Sequence, residues 1–215
     1  MIKIGKRYIH EIFKQLISLN IFNIIKKFFL VHKNPIRAMV NEFFSIGNYP
    51  KTITLMNKYK IKVYNIDDFS TLNLVFCRED YFKPKKIKVV IDIGSNIGIS
   101  SLYWFIGNPT CKIYSFEPSE KNFKKQKINT KIFKKNIILK KIGVSNKNEK
   151  SKLYLSKSGV NDSIIKIQNA DYEIIKLVSI NSILEKIFLK SKKIDVLKID
   201  VEGKEREILK SIKKN

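Results

Sequence analysis

The stretch VVIDIGSNIGISSLYWF, Val89 to Phe105, decides the fold. Its first five residues are short, rich in β-branched side chains and apolar on both faces, which is typical of a strand inside a parallel sheet. A glycine-spaced turn follows, and the apolar segment Ile99–Gly107 after it predicts a helix. Turns of this kind lie at the carboxyl end of a strand, where α/β proteins bind ligands.

Strand-like and helix-like segments alternate after this stretch. Strands are predicted at 111–118 and 194–203, a strand and turn at 136–146, and added strands at 151–156 and 172–180. Helices are predicted at 119–133, 180–188 and 204–212, and Ser119 is placed to cap the first of them. The alternation predicts an α/β domain with a mostly parallel sheet and flanking helices.

The preceding part of the chain predicts a helical extension at 1–59, and the α/β domain is expected at 60–215. Residues 60–76 fit either a hairpin or a strand followed by a short helix. In 11–31, apolar residues recur at helical spacing, but lysines interrupt every run before the ~20 residues that a membrane span needs. Two interpretations stay open: a helix packed on its own domain, or a basic amphipathic helix on a membrane surface.

Composition limits the possible functions. The net charge is +24, from 43 Lys+Arg against 19 Asp+Glu, and it favours nucleic acid or anionic lipid as partners. Because most of the cations are lysines in a chain rich in Ile, Asn and Phe, AT-rich coding is a second explanation. Two cysteines without metal-type spacing predict a reducing, cytoplasmic location, with a membrane-peripheral one if the 11–31 helix binds lipid. Both histidines lie near the N-terminus, so no metal site is expected in the α/β domain.

The residue types in the loop from Asp92 to Gly98 indicate which ligand it binds. Gly94 allows a sharp turn, and Asn96 tolerates a positive φ. No Gly-Lys-Ser/Thr follows, and Asn96 replaces the second glycine of the dinucleotide fingerprint, which disfavours a nicotinamide oxidoreductase. Asp92 would repel a phosphate but suits an ammonium group. S-adenosylmethionine carries an amine and a sulfonium and no phosphate.

Three further carboxylates follow the strands. Glu117 comes 19 residues after Gly98, where an acid can accept hydrogen bonds from the ribose hydroxyls of an adenosine. The alternative is a solvated carboxylate at a strand end. Asp200 and Glu202 are two residues apart, so on one strand they point to the same side. They are candidates for a base or for positioning a hydroxyl, and the alternative is a cap of the helix from Lys204.

Four segments carry a resemblance to a known family: VIDIGSNIGISS, IYSFEPSEKNF, NIILKKIGVSN and IDVLKIDVEGKEREIL. Together they resemble the FkbM family of S-adenosylmethionine-dependent methyltransferases, over residues 89 to about 209 and more weakly from 60. The resemblance implies a class I methyltransferase fold, which is Rossmann-like. It also implies O-methylation of a sugar, a glycan or a small hydroxylated metabolite.

The resemblance also implies roles for individual residues. Asp200 and Glu202 would face the acceptor and the transferred methyl group, and Glu117 would hold the ribose. The turn at Val144 and Ser145 would border the adenine. The methionine half of the cofactor would lie against residues of the loop, namely Asp92, Gly94, Ser95, Asn96 and Gly98.

The sequence departs from the family pattern at its C-terminal side. It ends after the helix that follows the fourth core strand, whereas a full class I domain has further strands. An exposed apolar edge is therefore expected at 194–200, and with it a truncated chain or a partner chain that completes the sheet. A non-catalytic remnant is one alternative function. A nucleic-acid methyltransferase is another: the charge favours it, but the fourth strand lacks an Asn/Asp-Pro-Pro-aromatic motif and no specific nucleic-acid partner is expected.

Overall fold

The computed structural model describes residues 3–4, 7–8, 21–82, 84–156, 159 and 162–213. The chain divides into two compact units, residues 1–82 and residues 83–215. The predicted boundary at residue 60 therefore falls inside the first unit. The predicted helical segment at 11–20 lies outside the described residues.

The first unit combines helices with two short antiparallel strand pairs. Strand β1 (Lys3–Ile4) pairs with β2 (Arg7–Tyr8), and β3 (Lys51–Thr54) pairs with β4 (Lys60–Val63). Its described helices are α1 (Ile21–Val31), α2 (Pro35–Phe44) and α3 (Ile66–Phe76). Residues 60–76 thus form a strand followed by a helix, and Asn65 caps that helix by accepting a hydrogen bond from the Asp68 N–H at 2.7 Å.

A buried polar cluster joins the helices of the first unit. His32 Nε2 lies 2.8 Å from Asn73 Oδ1, and Asn73 Nδ2 donates to Glu42 Oε2 at 2.9 Å. Phe28 stacks on the His32 ring with 5.3 Å between ring centroids. Burial lowers the pKa of His32 to about 4, so the ring is neutral at physiological pH.

The second unit is built around a parallel sheet of four strands in its described residues. Strand β5 (Val89–Ile93) is buried along its whole length, as its apolar sequence predicts. It lies between β6 (Lys112–Phe116) and β11 (Val196–Ile199), and β7 (Ile137–Lys140) pairs with β6 on the other side. The described flanking helices are α4 (Ile99–Gly107), α5 (Glu120–Thr130), α6 (Ile180–Phe188) and α7 (Glu205–Ser211).

These elements confirm the predicted fold class, a mostly parallel Rossmann-like sheet with flanking helices. Ser119 caps α5 as predicted, and its hydroxyl accepts from the Asn122 N–H. Strand β11 is shorter than predicted and lies at an edge of the sheet in the described part of the chain. Its residues are half-buried.

A smaller mixed sheet corrects the prediction of a strand and turn at 136–146. That segment forms two strands, and the second, β8 (Gly143–Ser145), leaves the main sheet to pair with β10 (Tyr172–Ser179). Strand β9 (Glu149–Tyr154) pairs antiparallel with β10 on its other side. Gly143 permits this approach, because a Cβ there would lie 2.5 Å from Leu177 Cδ2.

Candidate functional site

The loop between β5 and α4 is tied to the neighbouring strand β6. The backbone N–H groups of Gly94 and Ser95 both donate to Phe116 O, at 3.0 and 3.1 Å. Gly94 has a φ of 73°, and a Cβ there would lie 1.7 Å from Asp200 O. Only glycine fits this position, because the end of β11 leaves no room for a side chain. Asn96 has a φ of 49°, which confirms the predicted left-handed residue.

Asp92 is fully buried beneath the loop. Its Oδ2 accepts hydrogen bonds from Ser100 Oγ and Ser101 Oγ, both at 2.6 Å. These serines lie in the first turn of α4, so the carboxylate holds the start of that helix against β5. Its Oδ1 accepts no hydrogen bond within the described residues and therefore retains capacity for one further donor.

Lys198 is the main residue that the sequence interpretation missed. Its side chain is 8% exposed, and its Nζ donates to Gly94 O at 2.7 Å. The same ammonium lies 3.5 Å from Asp92 Oδ1 and 3.2 Å from Asp200 Oδ2. The lysine therefore joins β5, the glycine-spaced loop and the end of β11. A lysine inside an otherwise apolar strand, two residues before an acid, was the signal that could have identified it.

Glu117 connects the same loop to the start of α5. The residue is 5% exposed, so the interpretation of a solvated strand-end carboxylate was wrong. Its Oε2 accepts from the Asn96 N–H and its Oε1 from the Ser119 N–H, both at 2.8 Å. Burial raises the pKa of Glu117 to about 7, although these two N–H groups oppose the shift.

A buried polar network supports the loop from below. Gln126 Nε2 donates to Ser95 Oγ at 2.7 Å and to Ser115 Oγ at 2.6 Å, and Ser95 Oγ donates to Phe116 O. Asn129 Nδ2 donates to Ile97 O at 3.0 Å. The side chain of Ser95 thus fixes the loop, whatever its backbone binds. The sequence interpretation missed Gln126 and Asn129; their spacing with Asn122, at i, i+4 and i+7, marks one face of α5 and was the available signal.

The two acids near the end of β11 differ from their predicted arrangement. The strand ends at Ile199, and Glu202 follows in a turn with a φ of 56°. The prediction that both carboxylates lie on one strand was therefore wrong. The helix-capping alternative was wrong as well, because Lys204 is the N-cap residue of α7 and no side chain forms a capping hydrogen bond there in the described residues.

Asp200 and Glu202 nevertheless lie at the same end of the sheet as the glycine-spaced loop. The side chain of Asp200 is half-exposed while one oxygen pairs with Lys198. The pKa of Glu202 lies above its usual range, because desolvation and the charges of Asp200 and Glu205 disfavour the ionised carboxylate. Ser163 Oγ donates to Glu202 O at 2.8 Å, which brings the segment after β9 to this edge.

Val144 and Ser145 lie at the end of β8. Val144 packs in the core of the unit, and Ser145 Oγ donates to Asn146 Oδ1 at 3.1 Å. Their assignment to the adenine stays a prediction. Within the described ranges, no three His, Cys, Asp or Glu side chains are grouped so that they could hold a metal ion.

Comparison with known proteins identifies a family and a similar solved structure. A family model described as the methyltransferase FkbM domain matches residues 92–215, which is more than half of the chain. The chain is also similar to the methyltransferase FkbM from Methylobacillus flagellatus KT, at 13% identity and a TM-score of 0.44. That match covers 89% of this chain and 44% of the other, so the chain spans less than half the length of that relative. No curated protein matches.

Proposed function

This chain belongs to the FkbM methyltransferase domain family, and we propose that it transfers a methyl group from S-adenosylmethionine to a hydroxyl group of a sugar, a glycan or a small metabolite. The observation that carries the proposal is the position of Glu117. This buried carboxylate accepts the N–H of Asn96 and thereby lies directly beside the glycine-spaced loop. An acid at this place suits the ribose of an adenosyl group.

The residues present fit that cofactor. In the described part of the chain, Asn96 Oδ1 is a buried oxygen without a hydrogen-bond partner, and Asp92 Oδ1 accepts no hydrogen bond although the Lys198 ammonium lies 3.5 Å away. Buried acceptors of this kind are usually satisfied, so they favour a ligand that brings donors. The ammonium group of S-adenosylmethionine is such a donor, and a phosphate is not. Glu117 keeps lone pairs beyond the two N–H groups that it accepts.

Each group of residues would then have a separate task. Asp92, Asn96 and the loop backbone would hold the methionine half, and Glu117 would hold the ribose. When bound, the cofactor supplies an electrophilic methyl group on its sulfonium. Asp200, half-exposed beside the loop, would accept a hydrogen bond from the acceptor hydroxyl and orient its oxygen. Lys198 pairs with Asp200 and thereby fixes the position of this carboxylate beside the loop.

Glu202 is the second candidate for proton transfer. The raised pKa of its carboxyl brings it closer to neutral pH, where a general base works best. Its backbone is held by Ser163, which limits where its side chain can reach. We assign Asp200 to orienting the hydroxyl and Glu202 to removing the proton.

Calorimetric titration with S-adenosylhomocysteine tests the cofactor assignment. We expect binding by the wild-type chain and a roughly 10- to 100-fold loss of affinity in Glu117→Gln, since hydrogen bonds to a charged group contribute about 1.5–3 kcal/mol. Glu149→Gln is the matched control, because Glu149 is an exposed acid paired only with Lys147 in the described contacts. Absence of binding by a folded wild-type chain, or equal binding by all three proteins, would reject the assignment.

The net charge of +24 favours one other acceptor class, nucleic acid. The two acids at the candidate acceptor site argue against it, because they would face a phosphate backbone. Incubation with radiolabelled S-adenosylmethionine and either total RNA or a mixture of monosaccharides separates the two. Label in the RNA and none in the sugars would replace the proposed acceptor.

A further inference from the structure

The first unit exposes large apolar side chains on two neighbouring helices, and these residues have no role in the proposed function. On α1, Phe22 is 84% exposed and Leu30 59% exposed, and Phe29 is also exposed. On α2, Ile36 is 66% exposed and Val40 is exposed as well. The two helices pack against each other. Residues 22–40 of these helices and their connection are called the α1–α2 face below.

Helix α1 is apolar on both of its sides. Phe28 is buried in the first unit, and Ile24 is half-buried. Phe22 and Phe29, seven residues apart, lie on the opposite side and face solvent. A single exposed apolar side chain is ordinary, but several large ones on the exposed side of one helix mark a surface that a partner covers.

Cations outnumber acids around these apolar side chains. Residues 21–40 contain Lys26, Lys27, Lys33 and Arg37 and no Asp or Glu. Lys27 pairs with Glu79 at 2.7 Å, whereas Lys26, Lys33 and Arg37 are exposed. Glu79 and Asp80 lie beside Lys26 and Leu30, so the four cations leave an excess of positive charge on the apolar face. A partner that matches this face has an apolar interior and a negatively charged surface.

We propose that the α1–α2 face binds the surface of an anionic lipid bilayer. Phe22, Phe29 and Ile36 enter the boundary between headgroups and acyl chains, and the cations contact the lipid phosphates. Leu30, Ile36 and Val40 favour lipid over nucleic acid, because aliphatic side chains neither stack on bases nor pair with phosphates. In the described part of the chain, no helix is long and apolar enough to cross a membrane, so the contact is peripheral.

Co-sedimentation of the full chain with vesicles tests the proposal. The vesicles contain phosphatidylcholine alone or with roughly one-third phosphatidylserine. We expect binding to the anionic vesicles and at least about tenfold weaker binding to the neutral ones. Two variants should each lose at least about tenfold in affinity for the anionic vesicles: Phe22→Ser/Phe29→Ser, which removes apolar contact, and Lys26→Glu/Arg37→Glu, which reverses charge.

The matched control is Ile132→Ser/Leu189→Ser in the second unit, where these side chains are 71% and 88% exposed. It should bind like the wild type, and circular dichroism melting should show that all variants fold. Absence of vesicle binding by the wild type, or binding that survives both face variants, would overturn the proposal. So would binding to a short RNA duplex through the same residues in the absence of vesicle binding, which would make the face a nucleic-acid surface.

Discussion

Lys198 Nζ lies 2.7 Å from the carbonyl oxygen of Gly94, the residue at which the candidate cofactor loop begins. Parallel register places Lys198 directly opposite Asp92, so one ammonium reaches a buried carboxylate and a loop carbonyl together. The loop conformation therefore depends on a residue that is 104 positions later in the chain.

Lys198→Met should destabilise the second unit. The substitution leaves Asp92 buried without its cation, and breaking a buried ion pair costs roughly 3–5 kcal/mol. Ser100 and Ser101 still donate hydrogen bonds to Asp92 and partly stabilise its charge. We therefore expect the loss of unfolding free energy to lie at the lower end of that range. Urea unfolding followed through Trp104, which is buried in α4, measures the change.

Lys193→Met is the control for this first prediction. Lys193 pairs with Asp195 at 3.1 Å, but its side chain is 81% exposed, so its loss should cost less than about 1 kcal/mol. The double variant Lys198→Met/Asp92→Asn should recover part of the lost stability, because the buried charge is removed with its partner. Equal effects of the Lys198 and Lys193 variants would contradict the assigned role of Lys198.

Glu117 should make the stability of the second unit depend on pH. Folding raises its pKa from 4.5 to about 7, so the folded state favours the protonated carboxyl. The stabilisation is complete below pH 4.5 and is lost as the pH rises through 7, with a total on the order of 3 kcal/mol. We expect the difference in unfolding free energy between the wild type and Glu117→Gln to change by this amount between pH 4.5 and 8.

Chemical unfolding at several pH values, with Glu149→Gln as the control, measures that change. Glu149 is exposed and should leave the pH profile of the wild type unaltered. A difference between wild type and Glu117→Gln that stays constant over this pH range would show that Glu117 does not titrate near neutrality.

Features that depend on adjacent residues were predictable from the sequence. The apolar run of β5, the left-handed Asn96 and the Ser119 cap follow from local propensity and steric limits. The position of Glu117 beside the loop was also predictable. In this type of fold, an acid about 20 residues after the glycine-spaced loop ends the next parallel strand, next to that loop.

The remaining features depend on tertiary register. Gln126 reaches Ser95 only because α5 packs against the loop, and no local pattern identifies a partner 31 residues away. The split of 136–146 into β7 and β8 depends on Gly143, whose lack of a side chain lets Leu177 approach. Glu202 lies in a turn and not in the predicted strand. Glu205 stabilises this turn by accepting hydrogen bonds from the N–H groups of Val201 and Gly203.

His32 should make the first unit lose stability in acid. Burial lowers its pKa from 6.5 to about 4, so the folded state favours the neutral ring. The stabilisation from the neutral ring is complete above pH 6.5 and is lost as the pH falls towards 4, with a total on the order of 3 kcal/mol. Hydrogen exchange of the α3 amides, which belong to the same unit, should accelerate over this range. In His32→Gln, which keeps a polar group for Asn73, the acceleration should be smaller, and an unchanged profile would refute the assignment.

Gly94→Ala should disrupt the candidate site more than any change at Asn96. A Cβ at Gly94 would lie 1.7 Å from Asp200 O, and the φ of 73° adds strain, so we expect a loss of roughly 3 kcal/mol. Asn96→Gly is the matched variant, since its φ of 49° already suits glycine and its N–H to Glu117 is kept. It should change stability by less than about 1 kcal/mol. Thermal unfolding of both variants measures these changes. A Gly94→Ala protein as stable as the wild type would mean that the backbone at Asp200 does not lie against Gly94.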